Sequence, residues 1–364
     1  MKIKAAVVTE LNKLEVLDVE LDGPKAGEVL VKMVATGVCH SDLSVINGKI
    51  PARLPFVIGH EGAGIVEKVG EGVDVVEAGD HVVLAFVPHC GECFFCEKGQ
   101  PYLCKANNIL GTGTQLDGTS RVTIDGEEVR VMSGLGCMAE YCVVPSISLV
   151  KVEKDISLHV GALVGCGVTT GVGAALNTAK VEEGSTVAVL GCGGVGIAVI
   201  QGARIAGAAK IIAIDTSEEK LEMAKGFGAT DGVLSDENTV KAIKDLTDGI
   251  GVDYAFEVIG ITDVMELAYT ITRNGGTTII VGVGSMKDRV SFNALTFSLK
   301  SKKVCGCMYG SSDPVVDFPK YLGLYKEGKL DLDGMISKTY GIGDANEAFD
   351  DLLKGGNARG VIAY

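Results

Sequence analysis

The segment PHCGECFFCEKGQPYLC contains thiols at a spacing that could bind a metal ion. The thiols concerned belong to Cys90, Cys93, Cys96 and Cys104. Thiolates this close together can converge on one Zn²⁺ and fill its tetrahedral shell, which leaves no position for water or substrate. A pair of disulfides is the alternative, but Cys-x2-Cys repeats in a chain without a signal peptide are typical of metal ligands. Residues 90–104 therefore predict a structural zinc rather than a catalytic one.

A second motif, GCGGVG, could bind a dinucleotide because it stands between a predicted strand and a predicted helix. Its residues are Gly191, Cys192, Gly193, Gly194, Val195 and Gly196. The glycines would allow a tight turn and the close approach of a pyrophosphate, which would rest on the N-terminal end of the helix. The next predicted strand ends at Asp215, whose carboxylate could bind the adenosine ribose but would repel a 2′-phosphate. The motif favours NAD over NADP, and a glycine-rich turn without a ligand is the other interpretation.

The elements that position both motifs can be predicted from the apolar pattern, which changes along the chain. Up to about residue 145, short alternating segments such as EVLVKMVATGV are interrupted by glycines, which is typical of a β-rich, barrel-like unit. After about residue 165, apolar strands alternate with helix-length segments, which predicts a doubly wound parallel sheet. The tail from about residue 309 is mixed and is expected to return to the first domain. The predicted fold class is α/β plus β.

The composition limits the kinds of partner. The chain has 364 residues, of which 47% are hydrophobic, and a formal net charge of −14. This charge argues against binding to nucleic-acid phosphates or anionic lipid, so a small-molecule partner is expected. The first residues lack the long apolar core of a signal peptide, which predicts a cytoplasmic protein. Residues 160–179 and 184–203 are uncharged over the length of a membrane span, but they are rich in glycine, and no membrane helix is expected.

Three further motifs, GVCHSD, GHE and GCG, contain Cys39, His60 and Cys166. With the four-cysteine segment and the glycine motif, in this order, they make the chain resemble the zinc-dependent medium-chain alcohol dehydrogenases, in particular their liver-type and class III-like branch. The resemblance covers nearly the whole chain. It implies a GroES-like catalytic domain at residues 1–167, a Rossmann NAD-binding domain at residues 168–308, and a segment at 309–364 that returns to the catalytic domain.

The resemblance also implies a reaction, the interconversion of an alcohol and its aldehyde with hydride transfer to or from NAD. Cys39, His60 and Cys166 would be the protein ligands of a catalytic zinc, which would make two zinc ions per chain. Such a zinc has one position left for substrate and acts as a Lewis acid that lowers the pKa of an alcohol. From the residues alone, Cys166 could equally be a small hydrophobic core residue.

Other site residues follow from the same resemblance. Ser41 would take the alcohol proton, because a hydroxyl can donate and accept at once. Asp42 would orient His60 through its other ring nitrogen, and Glu61 would lie behind the zinc. The residues expected to bind the coenzyme, besides the glycine motif and Asp215, are His40 and Arg359 at the phosphates, Lys220 at the adenosine ribose, and Thr170, Val195 and Val283 at the nicotinamide.

The sequence departs from its relatives at two positions. Ser44 stands where many liver-type relatives end their proton relay in a histidine, so proton release would need water. Asn108 stands where the glutathione-dependent branch has an arginine, so an anionic thiol adduct would lose an ion pair. Apolar residues expected to line the pocket, which are Ile50, Phe86 and Met132, favour an uncharged, hydrophobic primary alcohol, aromatic or allylic.

Several alternatives stay open on the sequence alone. The protein could be an S-(hydroxymethyl)glutathione dehydrogenase, a nicotinoprotein alcohol dehydrogenase with tightly bound NAD, or a non-catalytic binding protein that keeps the fold. A homodimer is expected through the edge of the Rossmann sheet, with a tetramer as the second possibility.

Overall fold

The computed structural model describes residues 1–355 and 358–364. By its packing the chain divides into two units. The first unit comprises residues 1–167, 313–328 and 332–364, and the second comprises residues 168–312 and 329–331. Most of the C-terminal tail therefore packs with the first unit.

Strands and helices alternate in different ways in the two units. In chain order the strands are β1 (Lys2–Glu10), β2 (Lys13–Leu21), β3 (Glu28–Val38), β4 (Phe56–Val57), β5 (Gly62–Val69), β6 (His81–Leu84), β7 (Val122–Ile124), β8 (Glu127–Val131), β9 (Tyr141–Pro145), β10 (Leu149–Val152), β11 (Thr186–Leu190), β12 (Lys210–Asp215), β13 (Asp231–Leu234), β14 (Val252–Glu257), β15 (Thr272–Ile280), β16 (Lys303–Gly306), β17 (Ile336–Gly341) and β18 (Arg359–Ala363). The α-helices are α1 (His40–Ile46), α2 (Phe94–Glu97), α3 (Ile109–Thr112), α4 (Leu158–Leu163), α5 (Thr169–Gly173), α6 (Gly194–Ile205), α7 (Glu218–Gly226), α8 (Thr239–Leu246), α9 (Thr262–Ile271), α10 (Ala294–Leu299), α11 (Pro314–Lys326) and α12 (Ala345–Lys354).

The first unit is built mainly from β-strands. A closed barrel follows the order β1-β2-β7-β8-β4, and a seven-stranded sheet follows β10-β6-β5-β3-β18-β17, with β9 also paired to β3. Strand β1 begins with exposed Lys2 and Lys4 alternating with buried Ile3 and Ala5, as expected for a strand with one face in the core. Cys39, of the GVCHSD motif, directly follows β3, which lies near the middle of this sheet.

The second unit is a parallel sheet with the order β13-β12-β11-β14-β15-β16. This is the order of a doubly wound dinucleotide-binding sheet. Its central strand β11 is almost entirely buried, which is why its sequence, TVAVL, is a continuous apolar run rather than an alternating one. Leu190 lies opposite both Ile214 of β12 and Glu257 of β14, so the carboxyl ends of these strands form one edge. The predicted combination of a β-rich and a doubly wound α/β domain is confirmed.

The helical run Leu158–Ala179 is long and apolar enough to cross a membrane, with a mean hydropathy of 1.4 in its most apolar window. However, 89% of that window is buried inside the protein, as in a core helix. The run changes to π-helical geometry at Val164–Val168 and again at Ala174–Ala179. The other apolar stretch, residues 184–203, divides into β11, the glycine turn and most of α6.

Candidate metal and coenzyme sites

The four-cysteine segment folds into a compact thiol cluster around the short helix α2. The measured Sγ–Sγ distances are 3.6 Å for Cys93–Cys96, 3.9 Å for Cys93–Cys104, 3.4 Å for Cys90–Cys104 and 4.0 Å for Cys90–Cys96. A tetrahedral zinc with Zn–S bonds of about 2.3 Å separates its sulfur ligands by about 3.8 Å. The cysteines are free thiols in the structure, so their arrangement fits one metal ion and not two disulfides.

The environment of this cluster favours a thiolate at Cys93 and disfavours one at Cys96 and Cys104. The N–H groups of Cys90 and Ala106 each donate to Cys104 Sγ at 3.4 Å. Backbone N–H groups, that of Cys96 first, lower the pKa of Cys93 to about 6. Burial raises the pKa of Cys96 to about 12, and a bound cation would stabilise its thiolate.

A second cluster joins three residues from distant parts of the first unit. Cys39 caps the N-terminal end of α1, His60 follows β4, and Cys166 lies in the π-helical segment Val164–Val168. Their ligand atoms all lie within 4.8 Å of one another, and all three side chains are buried. π-Helical turns are frequent at functional sites because they change the direction of a side chain. The structure therefore brings together the three residues that the resemblance implied.

The Asp42 carboxylate lies beside the His60 ring. Its Oδ2 lies 3.2 Å from His60 Nδ1, and its Oδ1 accepts the N–H of Gly59 at 2.8 Å. Within residues 1–355 and 358–364, neither His60 Nδ1 nor Nε2 makes a hydrogen bond, although the ring is buried. A buried ring nitrogen beside two thiols, with the other nitrogen against a carboxylate, is the arrangement of a zinc-binding histidine.

The charges of this cluster also fit a metal site. Contact with Cys166 lowers the pKa of Cys39 well below its ordinary value despite burial, with a further contribution from His60. Burial alone would lower the pKa of His60, but Asp42 and Cys39 outweigh it and raise the pKa to about 10. The cluster therefore stabilises the Cys39 thiolate, the form of cysteine that binds zinc, and zinc binding would displace the proton of His60.

Two predicted residues near the cluster, Glu61 and Arg359, form an ion pair with each other. Glu61 is fully buried, its Oε1 accepts the N–H of Gly167 at 2.9 Å, and its Oε2 pairs with Arg359. The Arg359 side chain is also buried, at 5% exposure. Its predicted contact with a coenzyme phosphate, and the predicted place of Glu61 behind the zinc, stay predictions.

Three of the remaining predicted residues of the first unit, His40, Ser41 and Ser44, lie on α1. Ser41 Oγ is 3.8 Å from Cys39 Sγ, so its hydroxyl lies beside the cluster. His40 is exposed, and Ser44 is half-buried. Phe86 packs edge-on against the His60 ring, with centroids 5.4 Å apart.

The glycine motif has the backbone that a dinucleotide turn requires. Gly191 has a φ of +103°, and a Cβ on Gly196 would overlap the carbonyl oxygen of Gly191. At Gly193, by contrast, a Cβ would meet no atom within 4 Å, so the space beside this residue is open to a ligand. Helix α6 begins at Gly194, and its free N–H groups lie at this turn.

Asp215 lies beside the same turn. Its Oδ2 accepts the N–H of Cys192 at 2.8 Å, and its Oδ1 accepts the N–H of Ser217 at 3.1 Å. These bonds fix the carboxylate and leave it half-buried at the end of β12. The other predicted coenzyme residues of this unit are half-buried Thr170, Val195 and Lys220 and exposed Val283.

Two family models match the chain, the alcohol dehydrogenase GroES-like domain over residues 25–154 and the zinc-binding dehydrogenase over residues 194–327. The chain is 44% identical over 371 residues to the alcohol dehydrogenase class-3 of Drosophila melanogaster, covering 99% of this chain and 97% of the relative. This chain belongs to the zinc-dependent medium-chain alcohol dehydrogenase family. The predicted GroES-like and Rossmann fold and zinc-dependent alcohol oxidoreduction are confirmed, with a small alcohol or aldehyde as substrate.

Two other similar proteins differ in their substrates. The dehydrogenase is 41% identical over 371 residues to the S-(hydroxymethyl)glutathione dehydrogenase of Synechocystis sp., with 100% of both chains covered. Its fold is similar to that of the benzyl alcohol dehydrogenase from Acinetobacter calcoaceticus, with a TM-score of 0.94, 33% identity, and coverage of 100% of this chain and 99% of that one. The comparisons therefore leave the substrate within the alcohol class open.

Some residues have surroundings that the sequence did not reveal. Met132 is buried in an apolar cluster with Phe56 and Met138, and Ile50 packs against the same cluster. Their predicted place in the substrate pocket stays a prediction.

Glu257 was not among the predicted site residues. A carboxylate at the end of the apolar strand DYAFE was the signal that could have found it.

Proposed function

We propose that this dehydrogenase interconverts uncharged, hydrophobic primary alcohols and their aldehydes, with exchangeable NAD as coenzyme and two zinc ions per chain. The observation that carries the proposal is the convergence of Cys39, His60 and Cys166, with the orphaned Nε2 of His60 among buried thiols. A zinc ion held there supplies a Lewis acid that lowers the pKa of an alcohol, and NAD takes up the hydride. The four cysteines at 90–104 hold the second, structural zinc.

The residues around the proposed zinc have separate tasks. Asp42 places a carboxylate oxygen 3.2 Å from His60 Nδ1, which favours metal binding through Nε2. Ser41 receives the proton of the alcohol through its hydroxyl. Because Ser44 offers a hydroxyl and no imidazole, the proton leaves through water rather than through a protein base.

The choice of a hydrophobic alcohol rests on the surroundings of the cluster. Phe86 places an aromatic edge against His60. Asn108 is an exposed neutral amide, which cannot pair with the carboxylates of a glutathione adduct. The similarity to a benzyl alcohol dehydrogenase supports the same class of substrate. S-(hydroxymethyl)glutathione is the second candidate, and the similarity to the Synechocystis protein favours it.

A substrate panel on zinc-replete protein tests this proposal. NADH formation would be followed with ethanol, hexanol, benzyl alcohol, geraniol, and formaldehyde mixed with glutathione. We expect benzyl alcohol or geraniol to give the highest kcat/KM without glutathione. Activity confined to the glutathione mixture would instead establish the second candidate. Turnover seen only with an added external hydride acceptor would indicate permanently bound NAD.

The coenzyme preference depends on Asp215. We expect Asp215→Gly to raise the ratio of kcat/KM for NADP to that for NAD by at least about a hundredfold, because the change removes a fixed negative charge beside the ribose. Steady-state kinetics with both coenzymes measure the ratio. Asp231→Asn, which removes a charge at the amino end of β13, is the matched control and should leave the ratio unchanged. An unchanged ratio in Asp215→Gly would contradict the assignment.

We also propose that the protein is a homodimer, with a tetramer as the second possibility. Strand β16 is the edge of the parallel sheet, and an unpaired edge can pair with a second copy. Large apolar side chains are exposed on and before the neighbouring helix α10, namely Met286, Leu295 and Leu299. We expect light scattering after size exclusion to give about twice the chain mass, and a monomer mass would contradict the proposal.

A further inference from the structure

Glu257 is a buried acid at the ligand-binding edge of the parallel sheet. It ends β14, opposite Leu190 of β11 and Ile280 of β15. Its side chain is 0% exposed. A carboxyl group buried to this depth destabilises a fold unless hydrogen bonds compensate. Since ligands of doubly wound sheets bind at the carboxyl ends of the strands, the position calls for a functional explanation.

The hydrogen bonds of Glu257 reach two neighbouring loops. Its Oε1 accepts the N–H of Ile259 at 2.8 Å and that of Gly260 at 2.6 Å. Its backbone carbonyl accepts the N–H of Val281 at 2.8 Å and that of Gly282 at 3.0 Å. Burial raises the pKa of Glu257, and backbone N–H groups, those of Gly260 and Ile259 first, act in the opposite direction. One residue therefore fixes the backbone that follows β14 and the backbone that follows β15.

These loops pack tightly against each other and against the glycine turn. Gly260 has a φ of +87°, and a Cβ there would overlap the backbone of Val283. A Cβ on Gly282 would come within 2.7 Å of the backbone of Ile259. A Cβ on Gly191 would come within 2.7 Å of Ile259 Cγ1. A displacement of the Ile259 backbone would thus be transmitted both to Val283 and to the glycine turn.

We propose that Glu257 is a positioning residue for the coenzyme, because its two side-chain hydrogen bonds set the backbone that the pyrophosphate and the nicotinamide contact. The inference rests on the proposed use of NAD. Glu257 acts through the loops and does not touch the coenzyme. Its second oxygen, Oε2, makes no hydrogen bond in the described part of the chain, although the N–H groups of Ile261 and Gly282 also lower the pKa of the carboxyl, so acceptance at Oε1 is the property that the variants test.

Three variants separate this role from general stability. Glu257→Ala removes the acceptor, and Glu257→Gln keeps an oxygen that can accept the same two N–H groups. Asp253→Asn is the matched control, since Asp253 lies near the amino end of the same strand and accepts the N–H of Thr186 at 2.7 Å. Should Glu257→Ala not fold, Glu257→Leu fills the same space without an acceptor. Thermal melting reports the stability of each variant.

Binding of NADH, measured by its fluorescence and by calorimetry, is the primary measurement, with steady-state kinetics as the second. We expect Glu257→Ala to weaken NADH binding at least about tenfold and to raise the KM for NAD more than it lowers kcat. Glu257→Gln and Asp253→Asn should bind NADH within about threefold of the unmodified protein.

Two results would overturn the inference alone: NADH binding by Glu257→Ala equal to that of the unmodified protein, or an equal loss of binding in Asp253→Asn. If the unmodified protein bound no NAD or NADH at all, the proposed coenzyme would be wrong and the inference would fall with it.

Discussion

Replacing Cys39 with alanine is expected to lower kcat/KM for alcohol oxidation by at least about a thousandfold, because a Lewis acid at the reacting oxygen contributes several kcal/mol to catalysis. The change leaves only His60 and Cys166 of a set whose ligand atoms lie within 4.8 Å of one another. Two protein ligands hold zinc weakly, so the metal should be lost. Zinc content, measured by atomic absorption, should fall from two ions per chain to one.

Cys39→Ala is a cleaner test than a change at His60. Removing the imidazole would leave the Asp42 carboxylate buried at 0% exposure without its partner and would destabilise the fold as well. Cys305→Ser, which alters a half-buried thiol of β16 outside both clusters, is the control and should retain activity and zinc. Full activity in Cys39→Ala, or two zinc ions still bound, would show that the cluster is not the catalytic centre.

Replacing Cys104 with alanine is expected to lower the melting temperature by at least about 10 °C, because structural zinc sites contribute several kcal/mol of folding free energy. Cys104 Sγ lies 3.4 Å from Cys90 Sγ and accepts backbone N–H groups on either side, so its loss removes the centre of the cluster. The measurement is differential scanning calorimetry together with the zinc content.

The remaining zinc in Cys104→Ala should be the catalytic one, so the activity per zinc ion at low temperature should be largely preserved. This separates the two sites, since Cys39→Ala should show the opposite combination of lost activity and preserved melting temperature. A melting temperature unchanged after the loss of one zinc would mean that the 90–104 segment does not depend on its metal.

The two metal clusters differ in how far the sequence reveals them. The ligands of the thiol cluster lie within residues 90–104, and the local spacing alone predicted their convergence. Cys39, His60 and Cys166 come from the end of β3, the loop after β4 and a π-helical turn. No local pattern connects them, and without the resemblance Cys166 could have been an ordinary core residue.

The contacts that the sequence did not predict are long-range. Glu61 and Arg359 pair because β5 and β18 lie on either side of β3 in the sheet, a register set by tertiary packing rather than by either segment alone. Glu257 ends an apolar strand that the sequence pattern predicts. Its bonds to Ile259 and Gly260, however, depend on the turn that follows. Periodicity predicts which face a residue occupies, and it does not predict which backbone groups will surround it.

The position of β18 in the sheet has a consequence for biosynthesis. Gly360 pairs with Val38, the residue just before Cys39, and β17 lies on the far side of β18. The ribosome therefore synthesises the whole second unit before β18, the strand that completes the seven-stranded sheet of the first unit. Nascent domains usually fold in the order of synthesis. Here, however, all strands of the second unit are synthesised before the last strand of the first unit. Until Arg359–Ala363 has emerged, β3 has β5 and β9 but lacks the third neighbour that pairs with Val38 beside Cys39, so the first unit is completed last.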